Sequence, residues 1–337
     1  FANLMMRRIY NVLIVANPYD AFMLEDDGRI EEKIYNEYVE LGLRYPPMFT
    51  QVSTTEEATR VLHTTNIDLV ICMPGTADND AFSVARHIKK AFKSIPCVVL
   101  TPFSHGITKR MQNEDLRIFD YVFCWLGNTN LILSIIKLIE DKMNIEQDIK
   151  ATGVQMILLV EDSIRFYSSI LPNLYSYILA QSKRFSTEAL NKHQATLRMR
   201  GRPKVVLART YEEAMSIYNR YADNCLGVIC DARFPMKEVS PDENLLLPSP
   251  LRDSAVYKDP EALLRAIRAK DEYVPLIMES SESSNRAKAE AEGFRFVDKN
   301  SKQMSRDLRR IMEEHMGFGD FIFRDPASHQ ELIRIKS

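Results

Sequence analysis

Charge of one sign is what this 337-residue chain lacks most plainly: 44 basic residues face 46 acidic ones, for a net charge of −2. A nucleic-acid footprint or a polybasic membrane surface is therefore not expected, and no basic recognition helix argues for DNA binding. Long apolar runs are missing too. The longest fall well short of the roughly 18 residues a membrane span needs, and no signal-peptide pattern opens the chain. The cysteines Cys72, Cys97, Cys124, Cys225 and Cys230 are odd in number and mostly sit in apolar runs. Without zinc-ligand spacing they read as small core residues of a cytoplasmic protein. The histidines His63, His87, His105, His193, His315 and His329 are scattered, and none is a credible ligand or base. Neither a P-loop nor a G-x-G-x-x-G follows any strand pattern, which weakens a nucleotide-dependent enzyme within this segment. The chain begins abruptly at Phe1 and is expected to belong to a longer polypeptide.

What is present is ordinary globular composition, 45% apolar and 27% charged, in a length that suits two cores. Apolar β-branched runs alternate with helical patterns, the signature of an α/β chain with parallel sheets. The series occurs twice. Val12–Val15 is echoed by Ile157–Val160, Asp68–Cys72 by Gly227–Asp231, Pro96–Thr101 by Pro275–Ser280, and Phe119–Cys124 by Phe294–Lys299. After the second strand of each copy, Thr54 with Glu57 and Thr210 with Glu213 have the capping-box spacing that starts a helix. Each copy closes with an amphipathic helix, Thr129 to about Asn144 and Lys302 to about Met316. The first is rich in Leu131, Ile132, Ile135, Ile136 and Ile139 and runs on through Glu146–Lys150 until Gly153 breaks it. The expected organisation is therefore 1–150, 151–316 and a tail, 317–337, that starts a linker or further domain. Two insertions, 182–201 and 236–260, distinguish the second copy; the first is expected to prolong a helix, and Leu245–Leu247 in the other is expected to pack back on its own domain, with a contact patch as the alternative.

In an open doubly wound sheet, ligands sit outside the carboxyl ends of the strands where the strand order reverses. In the second copy the polar residues there are Glu161, Asp162, Asp231, Ser280 and Lys299. Three crowded carboxylates repel one another unless a cation neutralises them, which implies a divalent ion. Magnesium suits an all-oxygen set that shares its shell with phosphate. Glu161, Asp162 and Asp231 are the candidate metal ligands, with a backbone carbonyl near Arg233. Asp231 is also the candidate nucleophile, forming an acyl phosphate, while Lys299 and the Ser280 hydroxyl contact the phosphoryl oxygens. A phosphohydrolase built on a nucleophilic aspartate would want Asp-x-Asp after its first strand, whereas here Glu161 and Asp162 are adjacent.

As a set, the acidic pair, the acceptor aspartate with Pro235 four residues on, the hydroxyl after a strand proline, and the lysine three after Phe296 resemble the receiver domain of bacterial response regulators. The resemblance covers most of 154–316 and implies two CheY-like (flavodoxin-like) doubly wound five-stranded sheets in tandem. It implies a phosphodonor, either a kinase or a small molecule such as acetyl phosphate, an attached output domain, and Phe296 as the aromatic switch. One departure is Asn300, where receivers usually carry proline in a cis bond; the loop is expected to be trans, because a non-proline cis bond costs roughly 3 kcal/mol.

The first copy has Ala16 and Asn17 for the acidic pair, Met73 for the acceptor and Cys124 for the lysine, retaining only Thr101. It reads as a pseudo-receiver used for packing or dimerisation through its apolar final helix, with the nearby Asp20 and Asp78 as caps or solvated charges. A degenerate receiver, an inserted receiver and the Phe-rich segment 317–326 together resemble the N-terminal region of bacterial phosphoenolpyruvate synthase-like proteins. The expectation is a phosphorylation-operated regulatory module, with a static scaffold of two receiver folds as the alternative. A phosphotransferase activity would belong to domains further along.

Overall fold

The computed structural model describes residues 4–17, 30–43, 45–73, 81–102, 118–187, 191, 199–237, 257–258, 260–317, 321–324 and 331–335. Asp20, Asp78 and Leu245–Leu247 lie outside them. The first half contains β1 (Asn11–Val15), α1 (Ile30–Glu40), β2 (Met48–Val52), α2 (Thr55–Thr64) and β3 (Leu69–Cys72). It continues through α3 (Ala81–Ala91), β4 (Cys97–Pro102), β5 (Tyr121–Trp125) and α4 (Asn130–Thr152). The second half contains β6 (Met156–Val160), α5 (Ile164–Thr187), β7 (Lys204–Ala208), α6 (Tyr211–Tyr221) and β8 (Cys225–Asp231), then the short pair β9 (Phe234–Pro235) and β10 (Tyr257–Lys258). After it come α7 (Pro260–Arg268), β11 (Leu276–Ser280), α8 (Asn285–Ala291), β12 (Arg295–Asp298) and α9 (Met304–Ile311). The tail forms an antiparallel pair, β13 (Phe321–Arg324) with β14 (Glu331–Ile335).

Each half is a parallel five-stranded sheet, in the orders β2-β1-β3-β4-β5 and β12-β11-β8-β6-β7. Numbered within its own half, the second order is also 2-1-3-4-5, the flavodoxin-like arrangement whose switch point lies between the first and third strands. The central strands β1, β3 and β6 are Val-, Ile- and Leu-rich without alternation, and β3 and β6 are buried along their whole length, because helices cover both faces. Gly227 in β8 allows a close approach: a Cβ there would come 2.5 Å from Met316 Cε in the π turn that follows α9.

The capping boxes form alike in both halves. Thr54 Oγ1 accepts from Glu57 N–H at 3.1 Å while Glu57 accepts from Ser53 N–H at 3.0 Å. Thr210 Oγ1 accepts from Glu213 N–H at 3.2 Å while Glu213 accepts from Arg209 N–H at 2.8 Å. Helix α4 stops at Thr152, where Gly153 turns left-handed with φ 67°. α5 continues to Thr187, so the start of the first insertion prolongs that helix.

The apolar face of α4, read from sequence as a dimerisation candidate, is covered within the chain. α4 packs on α5 and β7 of the second half, and α5 packs on β5 of the first. One apolar cluster runs from Val12 and Leu100 through Ile135, Ile139, Leu171 and Ile178 to Ile229 and Ile277. A polar stripe of α4, Lys137, Glu140, Asp141, Asn144 and Asp148, is buried as well. Asp141 takes a two-pronged contact from Arg202 at 2.9 and 2.7 Å, plus Tyr175 O–H at 2.8 Å and Val205 N–H at 2.9 Å. Asp148 pairs with Lys204 at 3.0 Å and accepts Met5 N–H at 3.0 Å. Among the described residues no helix is long and apolar enough to cross a membrane.

Candidate functional site

Strand order decides where the carboxylates meet. β6 and β8 are the strands flanking the switch point of the second sheet, Glu161 and Asp162 follow β6, and Asp231 ends β8. Ser280 ends β11 and Lys299 follows β12, so neighbouring strand ends deliver them to the same edge. Asp162, Asp231, Ser280 and Lys299 line one crevice of about 670 Å³. Glu161 lies at its base, with no exposed surface. Oxygens of Glu161, Asp162 and Asp231 lie within 4.8 Å of one another, a spacing a single cation can bridge.

Lys299 is buried between two of these carboxylates. Its ammonium donates to Glu161 Oε2 and, at 2.6 Å, to Asp231 Oδ1, and it stands 4.3 Å above the ring centroid of Phe166. Burial alone would lower its pKa, but Glu161 and Asp231 outweigh that and hold it above the ordinary lysine range. One ammonium does not neutralise three carboxylates. Burial pushes Glu161 up to about 8 although Lys299 pulls it down, and Asp231 adds to the rise. Burial also raises Asp162 to about 6, again with a contribution from Asp231. A carboxylate set held this far from its ordinary range gains from a divalent cation, which replaces protons on the same oxygens.

Asp231 Oδ1 also accepts Ala232 N–H at 2.7 Å, and among the described residues no donor reaches Oδ2. Ser280 Oγ accepts Glu282 N–H at 3.0 Å and Asn285 Nδ2 at 2.9 Å, which leaves its own proton to donate. Phe296, on β12, is only 7% exposed and lies beneath the Arg286 guanidinium, 4.8 Å from its centroid. No cis peptide bond occurs among the described residues, in line with Asn300 in a trans loop. Asn300 ties that loop down: its N–H donates to Asp298 Oδ1 at 2.8 Å and its amide to Ser281 O at 2.9 Å.

Sequence reading missed three neighbours. Phe166 sits one helical turn after the acidic pair, and Asn285 sits five residues after Ser280; both positions are legible once the strand ends are known. Glu279 gave no signal inside an apolar strand. It has no exposed surface and neither oxygen has a hydrogen-bond partner. In the first half the matching strand ends carry Ala16, Met73 and Cys124, all buried, and Thr101 Oγ1 turns to Phe123 O at 3.5 Å.

No family model matches the chain, and no curated protein matches it. Solved structures do. The response regulator protein TrrA from Thermotoga maritima, in complex with Mg(2+)-BeF, is 22% identical over 38% of this chain and 97% of its own, with a TM-score of 0.28. The REC domain of AraT, a response regulator from Geobacillus stearothermophilus, is 15% identical over 41% of this chain and 98% of its own, with a TM-score of 0.32. A probable two-component system response regulator/GGDEF domain protein is 14% identical over 91% of this chain and 98% of its own, with a TM-score of 0.35.

Proposed function

We propose that the second half is a phosphorylation-dependent regulatory module of the receiver type, with Asp231 as phosphoacceptor and the first half as its degenerate, packing counterpart. The observation that carries this reading is the carboxylate triad at the switch point, with Lys299 on Asp231 and Ser280 beside it. Glu161, Asp162 and Asp231, with the backbone carbonyl of Arg233, would hold Mg2+, which when bound supplies the positive charge that lets an anionic donor approach. Asp231 Oδ2 attacks the phosphorus of the donor. The new carboxyl O–P bond forms as the P–N bond of a phosphohistidine, or the P–O bond of acetyl phosphate, breaks, and the leaving group takes the electron pair. Lys299 and the Ser280 hydroxyl stabilise charge on the transferring oxygens.

Once Asp231 is phosphorylated, Lys299 exchanges a carboxylate oxygen for a phosphoryl oxygen and Ser280 is drawn the same way. The ends of β11 and β12 follow, and the Phe296 ring under Arg286 is the element that reports the change to an attached output domain. Membership of a phosphoenolpyruvate synthase-like protein belongs to this proposal too, resting on domain order and the Phe-rich tail.

Intact-mass measurement after incubation with acetyl phosphate and Mg2+ tests the reading. One added phosphoryl group is expected, absent with EDTA and absent in Asp231→Asn. No addition to the wild-type chain would leave the static scaffold as the better description.

A further inference from the structure

An edge strand leaves backbone N–H and C=O groups without a ladder partner, a template for pairing unless the fold caps or blunts it. The two five-stranded sheets end in β2, β5, β12 and β7, and all but β2 are dealt with. Cys124 N–H on β5 donates to Ser168 Oγ at 2.9 Å and Val122 C=O accepts from Tyr167 O–H, both side chains on α5. Val205 N–H on β7 donates to Asp141 Oδ2 of α4 at 2.9 Å. β12 is short and carries Arg295 and Asp298 at its ends, and charge of that kind discourages pairing.

β2 has none of these devices. Its residues, Met48–Val52, include no charge, and each is exposed or half-buried. Met48 N–H donates to Tyr10 O at 2.7 Å and Ala16 N–H to Val52 O at 3.0 Å. Met48, Thr50 and Val52 therefore turn their backbone groups to β1, while Phe49 and Gln51 turn theirs outward. Among the described residues nothing bonds to those outward groups. The open stretch is bounded on both sides, because Pro47 has no N–H to offer and Ser53 N–H is taken by Glu57 at 3.0 Å. What remains is symmetric about Thr50. Large apolar side chains stand at the start of the same edge: Met48 is 71% exposed, and the exposed Tyr45 packs edge-on to Tyr10 with centroids 6.4 Å apart.

We propose that β2 is the interface for a second copy of this chain, the two β2 strands pairing antiparallel about a two-fold axis at Thr50. Phe49 of each copy then exchanges both N–H···O bonds with Gln51 of the other. Thr50 faces its own counterpart in the non-hydrogen-bonded position, where Cα atoms approach to about 4.5 Å, and Met48 lies opposite Val52, apolar against apolar. A second copy suits the edge better than an unrelated strand because the free stretch is its own complement. It is uncharged, its two open residues match each other under the two-fold, and no other register satisfies both. The sheets of the two first halves become one continuous sheet, and the inference stands whether or not Asp231 is phosphorylated.

Sedimentation velocity of the whole chain between about 1 and 100 µM tests it, with a dimer fraction that rises with concentration as the expected result. Gln51→Pro removes only an outward N–H, so the melting temperature should hold while the dimer dissociation constant rises at least about tenfold. Thr50→Lys sets like charges against each other at the axis and should weaken the dimer as much without altering the backbone. Thr50→Cys supplies a gain of signal. Mild oxidation should link it into a covalent dimer that the wild-type chain does not form, since the facing Cα atoms fall within disulfide range. A chain that stays monomeric at every concentration, a dimer that survives both Gln51→Pro and Thr50→Lys, or a dimer in which Thr50→Cys does not crosslink would each overturn the proposal.

Discussion

Glu279 provides the sharpest test of how the second half balances its charges. It sits on β11 opposite Asp231 in the ladder, with no exposed surface and no hydrogen-bond partner. Burial pushes its carboxyl from an ordinary 4.5 up to about 7; Lys299 pulls it down and Asp231 pushes it further up. The folded-state value is the higher one, so the native chain binds more protons than the unfolded chain between those limits. Stability linked to this group is therefore intact below about pH 4.5 and falls as pH rises towards 7. At about 1.4 kcal/mol per pH unit the loss is roughly 3 kcal/mol. Glu279→Met removes the ionisable group at similar volume, and Glu279→Gln keeps a polar group that cannot ionise. Urea unfolding by circular dichroism at pH 5, 6.5 and 8 measures the gap between each variant and wild type. Both gaps should move in favour of the variant by roughly 3 kcal/mol between pH 5 and 8, with Met above Gln throughout because Gln still buries unpartnered polar atoms. A gap that does not change with pH, or a Met variant less stable than wild type at pH 8, would refute the reasoning.

Magnesium should raise the melting temperature most at pH 8 and progressively less towards pH 5. The reason is that Glu161, raised to about 8, and Asp162, raised to about 6, take up protons on the oxygens the cation needs; an equal shift in Asp162→Asn would count against the site. Lys299→Met removes the ammonium that pairs with both Glu161 and Asp231. It should cost on the order of 3–5 kcal/mol in urea unfolding at pH 8 and less at pH 5, where Glu161 accepts a proton instead. Arg202→Met strands Asp141 at the seam, with a similar loss of about 3–5 kcal/mol and faster proteolytic cleavage near Gly153; unchanged proteolysis would mean that the seam does not depend on this pair.

Local patterns carried most of the fold. Thr54–Glu57 and Thr210–Glu213 form their capping contacts as spaced, and Gly153 ends α4 where the helical pattern stops. The strand-end residues Asp162, Asp231, Ser280 and Lys299 meet because sheet order puts β6 beside β8 and β11 between β8 and β12, a consequence of topology that strand order alone reveals. What sequence could not show is partner choice over long separations. Periodicity marks Lys137, Glu140, Asp141, Asn144 and Asp148 as the polar side of an amphipathic helix, which reads as a solvated face. All five are buried, because the segment Met5–Ile9 and the start of β7 supply donors more than 60 residues away. Glu279 escaped for the opposite reason: an isolated acid in an apolar strand looks like noise until its neighbours Asp231 and Lys299 are in place.

Comparison of the two halves separates the demands of folding from those of chemistry. Both sheets have the same strand order. The first half carries buried Ala16 and Met73 at the ends of the strands that flank its switch point, and buried Cys124 near the end of β5. The second places Glu161, Asp162 and Asp231 at its switch point, and burial, with Asp231 adding to it, raises the carboxyls of Glu161 and Asp162 above their ordinary range. An apolar strand end therefore satisfies this fold, and a charged one strains it. Repulsion of that kind is relieved by any ligand that brings positive charge, and it is altered by any that brings negative charge to Asp231. Under the proposed function, the excess of carboxylates is what would make the stability of this site respond to magnesium and to phosphorylation, the response a switch requires.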